Sequence, residues 1–518
     1  MGKNKYIFVV SMVVALGGFL MGFDASVISG VNRFIEIEFD LSKIELGWAV
    51  ASLTLTATLS MLVAGPLSDK IGRKRVLSIA AILYTISAIG SALAPSFIVL
   101  VIARMIGGLG VGASLIIAPM YIAEMAPPKI RGSLVSINQL NIVLGISVAF
   151  FTNYMVLQLG QSDMAWAQAL QFDTYNWRWM LGLETIPAVL YFIGLFFVPN
   201  SPRWLIMKEE YDYALSILSK INPKETAQEV FSAVKKSFEA EKDLKKRTLT
   251  DLFKPALKLV LLVGVVIGIL QQITGINAVF FYAPMIFEQT GIGTDASFVQ
   301  AILVGLTNLV FTVLAILFID KVGRKPLLIF GVSGIALCMF LLSYEFNNAT
   351  YTLQPDTVTE LPAEINQQQL SAMVGTVYDN DLDYKRALSE TLGEDVAQTY
   401  ESQLITTAAD INATLILICI LGFVASFAIS LGPIMWVLFS EIFPNYIRGL
   451  AISFVGVINS AISFGVQLVF PWELANFGSS LTFLIYGVFA AAGLLFIIFV
   501  VPETKGKSLE ELEIYLAK

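Results

Sequence analysis

The sequence predicts an all-α membrane protein, with twelve transmembrane helices in two parallel six-helix repeats. Three observations predict it. The 518 residues are 56% apolar and 14% charged, with a mean hydropathy of +0.75, far too apolar for a surface that must face water. Twelve apolar stretches reach the ~20 residues needed to cross a hydrocarbon core of roughly 30 Å. A charged turn also recurs 251 residues further along the chain.

In order, the spans lie near 7–31, 46–66, 76–94, 97–121, 134–155, 180–199, 257–284, 298–319, 327–345, 411–438, 450–470 and 481–501. The first follows Lys3 and Lys5 as a secretory signal would, but a run of about 25 residues without a small-residue cleavage site reads as an uncleaved helix. Tyr6 stands where N-myristoylation needs Ser or Thr. Twelve crossings return both termini to one face. Outside loops would hold five basic residues, Arg33, Lys43, Arg178, Lys385 and Arg386, and the termini and inside loops 27, so both termini are expected in the cytoplasm.

The recurring turn is Leu67-Ser-Asp69-Lys-Ile-Gly72-Arg73-Lys74, repeated as Phe318-Ile-Asp320-Lys-Val-Gly323-Arg324-Lys325. A second pair, Glu124 with Arg131-Gly132 and Glu441 with Arg448-Gly449, is offset by 317. Two six-helix halves in one orientation are the parallel-repeat plan of secondary transporters, with a ligand site between the halves. Residues 1–199 form the first half, 200–256 a charged cytoplasmic helical linker domain with helical patches such as 227–246, and 257–518 the second half. The offsets differ by 66, and residues 346–410, which hold no spanning run, supply the excess. This extracytoplasmic insertion carries 11 acidic residues against two basic; it reads as a tolerated surface loop, with a lid or partner-binding role as the alternative.

Composition excludes much else. Without histidine there is no Ser/His/Asp triad, histidine metal site or histidine switch. Cys338 and Cys419 sit in apolar runs as small core residues, leaving no disulfide framework or thiolate cluster. No metal or other cofactor is expected. A net charge of −7 with scattered bases argues against nucleic acid. Neither a nucleophile and base set nor a nucleotide-binding loop occurs, so an enzyme is a poor fit and direct ATP drive is not expected.

Polar residues inside spans need a reason. A mid-bilayer carboxylate such as Asp24 costs about 2.5–3.5 kcal/mol on insertion scales and requires a partner or a proton. With the first helix ending near residue 30, Asp24 lies roughly 9 Å below its outer end, and Arg104, the one basic residue well inside a span, lies roughly 10 Å below the start of the fourth. At matching depth they form either a static salt bridge or a proton switch that closes as an ion pair and accepts a proton when the helices part.

Gln271-Gln272-Ile-Thr-Gly275-Ile-Asn277 brings three amides to the seventh span around a helix-breaking glycine, with Pro284 beyond. Gln139 in the fifth, Asn308 in the eighth and Asn459 in the eleventh add neutral amides. Each alone could be interhelical glue; together they favour a polar, uncharged ligand whose hydroxyls need both donors and acceptors. Trp436, after Gly432-Pro433, could offer an indole face to it or simply fill the core. At cytoplasmic helix ends, Asp69, Arg73, Glu124 and Arg131 in one half and Asp320, Arg324, Glu441 and Arg448 in the other read as a charge latch of individually modest, solvent-exposed couplings, or as positive-inside anchors.

These residues resemble the sugar porter branch of the major facilitator superfamily, which includes bacterial sugar/proton symporters and facilitative glucose transporters. The likeness spans nearly the whole chain outside 346–410 and is carried by Gly17-Gly-Phe-Leu-Met-Gly-Phe-Asp24, the two Gly-Arg-Lys turns, Pro199-Asn-Ser-Pro-Arg-Trp204, Gln271 to Asn277, Gly432-Pro-Ile-Met-Trp436 and Pro502-Glu-Thr-Lys-Gly506. The resemblance implies the major facilitator fold, alternating access, and sugar contacts at Gln139, Gln271, Gln272, Asn277, Asn308 and Trp436. It also implies that Asp24 paired with Arg104 marks a proton-coupled member, importing a monosaccharide, hexose or pentose, across a bacterial inner (plasma) membrane. Three positions depart from the family pattern. Asn200 replaces a glutamate and would loosen the inner latch. Phe281 replaces a tyrosine that could bond the sugar. Ser460 replaces a tryptophan that packs on it. An uncoupled facilitator is the alternative within transport. A sugar sensor is the alternative outside it, disfavoured because about 17 residues follow the last span.

Overall fold

The structure is a computed structural model that describes residues 3–127, 130–241, 248–358, 361–362, 365–444 and 447–505. Among the described residues, eleven helices are long and apolar enough to cross a membrane, and the last, Arg448–Phe499, runs for 52 residues. At 1.5 Å per residue that is about twice the length one crossing needs. Gly478, at φ 74°, breaks it into the eleventh and twelfth spans. Three more spans are interrupted: the sixth around Glu184, the seventh at Gly275 (φ 89°) and the tenth at Ser430. Large apolar side chains such as Phe197, Phe330 and Phe499 stand exposed on the spans, as lipid contact requires.

Two compact units make up the chain, one of residues 1–27, 52–149 and 178–251, the other of 28–51, 150–177 and 252–518. In the first, the short helices Pro202–Met207, Tyr211–Ile221 and Lys224–Glu241 share one apolar core with the membrane helices through Leu205, Ile217, Leu218 and Ala227. Residues 242–246 of the expected helical patch lie outside the described residues.

The first helix runs from Lys3 to Glu38, past the expected end near residue 30. Its last turns look like a loop in sequence, yet within the second unit their polar groups find partners. Asn32 Nδ2 donates to the Phe281 carbonyl at 2.8 Å, Arg33 pairs with Glu288 at 2.9 Å and Glu36 with Lys43. The 9 Å depth assigned to Asp24 from the expected helix end therefore does not hold.

The insertion is a small folded layer with its own core of Tyr351, Leu353, Ile365, Leu370, Tyr384 and Leu404. It contains the one departure from an all-α fold among the described residues, a three-stranded antiparallel sheet in the order β2-β1-β3, formed by β1 (Thr350–Thr352), β2 (Val377–Tyr378) and β3 (Ala409–Asp410). Tyr351 stacks on Tyr384 at 5.3 Å, and the Tyr384 hydroxyl donates to the Leu404 carbonyl. Asp381 reaches the Gly478 break and accepts from both the N–H and the hydroxyl of Ser479 at 3.2 Å, capping the start of the twelfth span.

A charge cluster fastens the same layer to the seventh span. Lys385 Nζ lies 2.9 Å from Glu401 and 2.6 Å from Gln289 Oε1. Burial alone would raise the Glu401 acid, but Lys385, Lys43 and the hydrogen bonds from Lys385 and Gln289 outweigh it and hold it down at about 2. A depressed acid stabilises fully above its ordinary value of 4.5 and loses that contribution as pH falls through about 2. Hydrogen-exchange protection of residues 381–408 should thus stay flat between about pH 5 and 8. Glu401→Gln should raise exchange there several-fold; equal rates in both proteins would count against the fastening.

Candidate functional site

In the first unit, Asp24 and Arg104 are both buried among the spans, at 2% and 1% exposure. Arg104 Nη1 lies 3.4 Å from Asp24 Oδ1, while Asp24 Oδ2 has no hydrogen-bond partner among the described residues. Glycine makes the approach possible: a Cβ on Gly107 would stand 2.9 Å from Asp24 Oδ2 and 2.4 Å from Ser87 Oγ. Sequence reasoning missed a third member. Glu184, in the break between Asn176–Gly182 and Thr185–Phe196, is 2% exposed, leaves Oε1 unbonded and lies within electrostatic reach of both Asp24 and Arg104. It carries the same signal that singled out Asp24, an acid inside an apolar run.

In the second unit, Gln271, Gln272, Asn277 and Asn459 form one hydrogen-bonded network, and its polarity can be worked out from two fixed points. Backbone carbonyls only accept, so Asn459 must turn its Nδ2 to Gly268 O (2.8 Å) and Gln271 its Nε2 to Leu431 O (3.1 Å). Gln271 Oε1 then accepts from Asn459 Nδ2 at 2.9 Å and from Gln272 Nε2 at 3.1 Å, and Asn459 Oδ1 also accepts from Gln272 Nε2 at 3.3 Å. With both its N–H groups directed there, Gln272 presents Oε1 to Asn277 Nδ2 at 2.7 Å. Asn277 Nδ2 makes a second bond, 2.6 Å, to Ser463 Oγ. The αL backbone of Gly275 lets the seventh span break between Gln272 and Asn277; a Cβ there would stand 2.7 Å from the Tyr486 ring.

The other sugar candidates lie outside this network. Asn308 is buried at 6% exposure, Gln139 is exposed beside the buried Asn138, and Trp436 is 46% exposed with its ring edge-on to Phe439. Phe281 is buried, and its carbonyl accepts from Asn32.

The charges of the two recurring turns come together within each unit separately. Arg73 reaches Asp69 at 2.8 Å and grips Glu124 through Nε and Nη2, and Ser201 donates to Glu124. Arg324 reaches Glu441 at 2.8 Å, and Thr504 donates to Glu441 at 2.6 Å. The Arg73–Glu124 pair, at 7% and 8% exposure, is more buried than expected, because Trp204 covers the turn, its ring 3.2 Å from the Cβ position of Gly72. Arg131 and Arg448 take another course: each donates to a carbonyl five residues earlier, Ala126 and Phe443. The Asp320 side chain lies outside the described residues, as does Gly506.

The repeat extends to the segments beside these charge clusters, where Pro199-Asn200-Ser201 matches Pro502-Glu503-Thr504. Glu503 accepts from the N–H groups of Arg324 (3.2 Å) and Lys325 (3.0 Å), supplying the cap that Gly323 cannot. Asn200 makes no such bond to the helix that begins at Arg73, which Gly72 leaves without a side-chain cap. Asn200→Glu should add a capping carboxylate worth about 0.5–1 kcal/mol. The expected readout is a higher thermal midpoint in detergent; an unchanged or lower midpoint would refute the cap.

Residues 10–357 and 397–516 match the family described as "Sugar (and other) transporter", leaving out most of the outer layer. The chain is 34% identical over 508 residues to the arabinose-proton symporter of Bacillus subtilis (strain 168), covering 98% of this chain and 94% of that protein. It is 35% identical over 546 residues to the D-xylose-proton symporter of Escherichia coli (strain K12), covering 99% and 96%. Among solved structures, the inward-open xylose transporter XylE of E. coli superposes with a TM-score of 0.75 at 33% identity over 98% of this chain and 100% of that one. XylE bound to 6-bromo-6-deoxy-D-glucose gives 0.71 at 34% identity over 99% and 100%. The twelve spans, the doubled charged turn and the full-length match together make the chain a member of the sugar transporter family, among the sugar porters of the major facilitator superfamily.

Proposed function

We propose that this multi-pass membrane protein imports a monosaccharide, a pentose or hexose, together with a proton by alternating access, and that it is a transporter and not an enzyme. The observation that carries the proposal is the buried Asp24–Arg104 pair. A carboxylate held that deep must be either paired or protonated, so a motion that parts it from its cation ties the cycle to proton uptake. Full-length relatives that bear the names of arabinose-proton and D-xylose-proton symporters support this reading.

In this scheme Gln271, Gln272, Asn277 and Asn459 bind the sugar, since neutral amides match hydroxyls without the desolvation cost of charge. Gln139, Asn308 and Trp436 are proposed as further contacts. The Arg73–Glu124–Asp69 and Arg324–Glu441 clusters hold the cytoplasmic ends shut and part on inward opening, with Arg131 and Arg448 bracing the adjoining turns. The termini face the cytoplasm of a bacterial inner membrane.

The test is uptake by proteoliposomes containing only this protein, against a panel of pentoses and hexoses, with and without an inward proton gradient. Accumulation of one or more sugars driven by the gradient is expected. Saturable uptake indifferent to the gradient would make the protein a facilitator, and absence of turnover would remove the transport reading.

A further inference from the structure

The eleventh span carries more polarity than the amide motif accounts for. Asn459, Ser463 and Gln467 recur every four residues and so share one helix face, and all three are buried, at 6%, 5% and 1% exposure. Ser463 Oγ accepts from Asn277 Nδ2 at 2.6 Å and from Gln467 Nε2 at 2.8 Å. Two donors occupy both lone pairs of the hydroxyl oxygen. Asn277 in turn has spent both of its N–H groups, on Gln272 Oε1 and on Ser463 Oγ, and its Oδ1 meets no donor among the described residues.

We infer that Gln467 and Ser463 are positioning residues that lock the Asn277 amide with its carbonyl outward, so that the site demands a hydrogen-bond donor from its ligand at that point. The inference rests on the sugar-transport reading and deepens it. A free asparagine would accept or donate equally well by turning over. Here, turning over would break two bonds at once and set Oδ1 against Gln272 Oε1. Gln467 holds the far end of the relay by donating to the second lone pair of Ser463, which anchors the hydroxyl oxygen where Asn277 Nδ2 meets it.

The consequence is a discrimination that can be read chemically. Fluorine in place of a sugar hydroxyl keeps a weak acceptor and loses the donor. In a series of deoxyfluoro analogues of the transported sugar, one position should therefore weaken apparent affinity by about tenfold, the equivalent of one hydrogen bond of about 1.4 kcal/mol. Ser463→Ala and Gln467→Leu should narrow that ratio by about threefold, because one of the two bonds that hold the amide is lost or loosened while Gln272 Oε1 still resists its turning. Ser463→Thr, which keeps the hydroxyl, should restore it. A merely structural role would change protein yield or maximal rate for parent sugar and analogue alike and leave their affinity ratio untouched.

If no position of the wild-type series discriminates, or if Ser463→Ala and Gln467→Leu bind sugar with the wild-type ratio, the inference falls while sugar transport stands. Should either variant fail to fold, the wild-type series and Ser463→Thr still decide it: loss of the ratio in a folded, transporting Ser463→Thr would overturn the relay. Absence of any sugar uptake by the wild type would instead overturn the transport reading beneath it.

Discussion

Asp24→Asn should abolish sugar accumulation against a gradient while leaving sugar-for-sugar exchange running. The substitution keeps the shape of the side chain and an oxygen to face Arg104, but the group can no longer release or take up a proton. Removing one member of a buried ion pair often costs roughly 3–5 kcal/mol because the other charge is stranded. That penalty is softened here, since the asparagine keeps an oxygen facing Arg104, which lies 3.4 Å from the carboxylate in the parent pair. The variant should therefore fold and insert. Measured in proteoliposomes with an imposed inward proton gradient, internal sugar should stop at the external concentration, and exchange of labelled for unlabelled sugar should persist. Undiminished uphill accumulation would sink the role assigned to Asp24.

The same pair marks what sequence alone can yield and what it cannot. Asp24 and Arg104 were legible because each is a charge in an apolar run, where any charge must be answered. Glu184 obeys the same rule, yet it lies close to the outer end of its span, where an acid can pass for a loop residue. The end of the first helix was misplaced for the converse reason. Asn32, Arg33 and Glu36 look solvent-seeking, but their partners, the Phe281 carbonyl, Glu288 and Lys43, are two of them some 250 residues away in the chain. Local pattern cannot foresee such partners. The outer layer was opaque for a further reason: Tyr351, Leu370, Tyr384 and Leu404 are spaced without helical or strand period, and only the folded chain gathers them into a core.

The amides divide along the same line. Their composition was visible, and it pointed to a neutral, hydroxyl-bearing ligand. Their direction was not visible, because it originates at two backbone carbonyls, Gly268 O and Leu431 O, that no side-chain motif encodes. Ser463 and Gln467 were overlooked for want of a reason to extend the face of Asn459 by one and two turns.

That direction makes Gln272→Glu the most disruptive near-isosteric change in the second unit. Gln272 Nε2 donates at once to Gln271 Oε1 and Asn459 Oδ1, while its Oε1 accepts from Asn277. A carboxylate has the same outline but no donor, so it would aim an oxygen at two oxygens, each already turned inward by its own carbonyl anchor. Gln271 and Asn459 cannot both reverse without abandoning Leu431 O and Gly268 O. Each buried group left unsatisfied costs about 1–3 kcal/mol, and a buried charge adds to it. With the sugar held by these amides as proposed, two such losses amount to a rise in apparent KM of at least about 100-fold, or to no measurable binding. Gln272→Met, which removes donor and acceptor together and leaves no mismatched oxygen, should be the milder variant despite lacking every polar atom. Were Gln272→Glu to transport with near-normal KM, or prove milder than Gln272→Met, the polarity traced from Gly268 and Leu431 would be wrong.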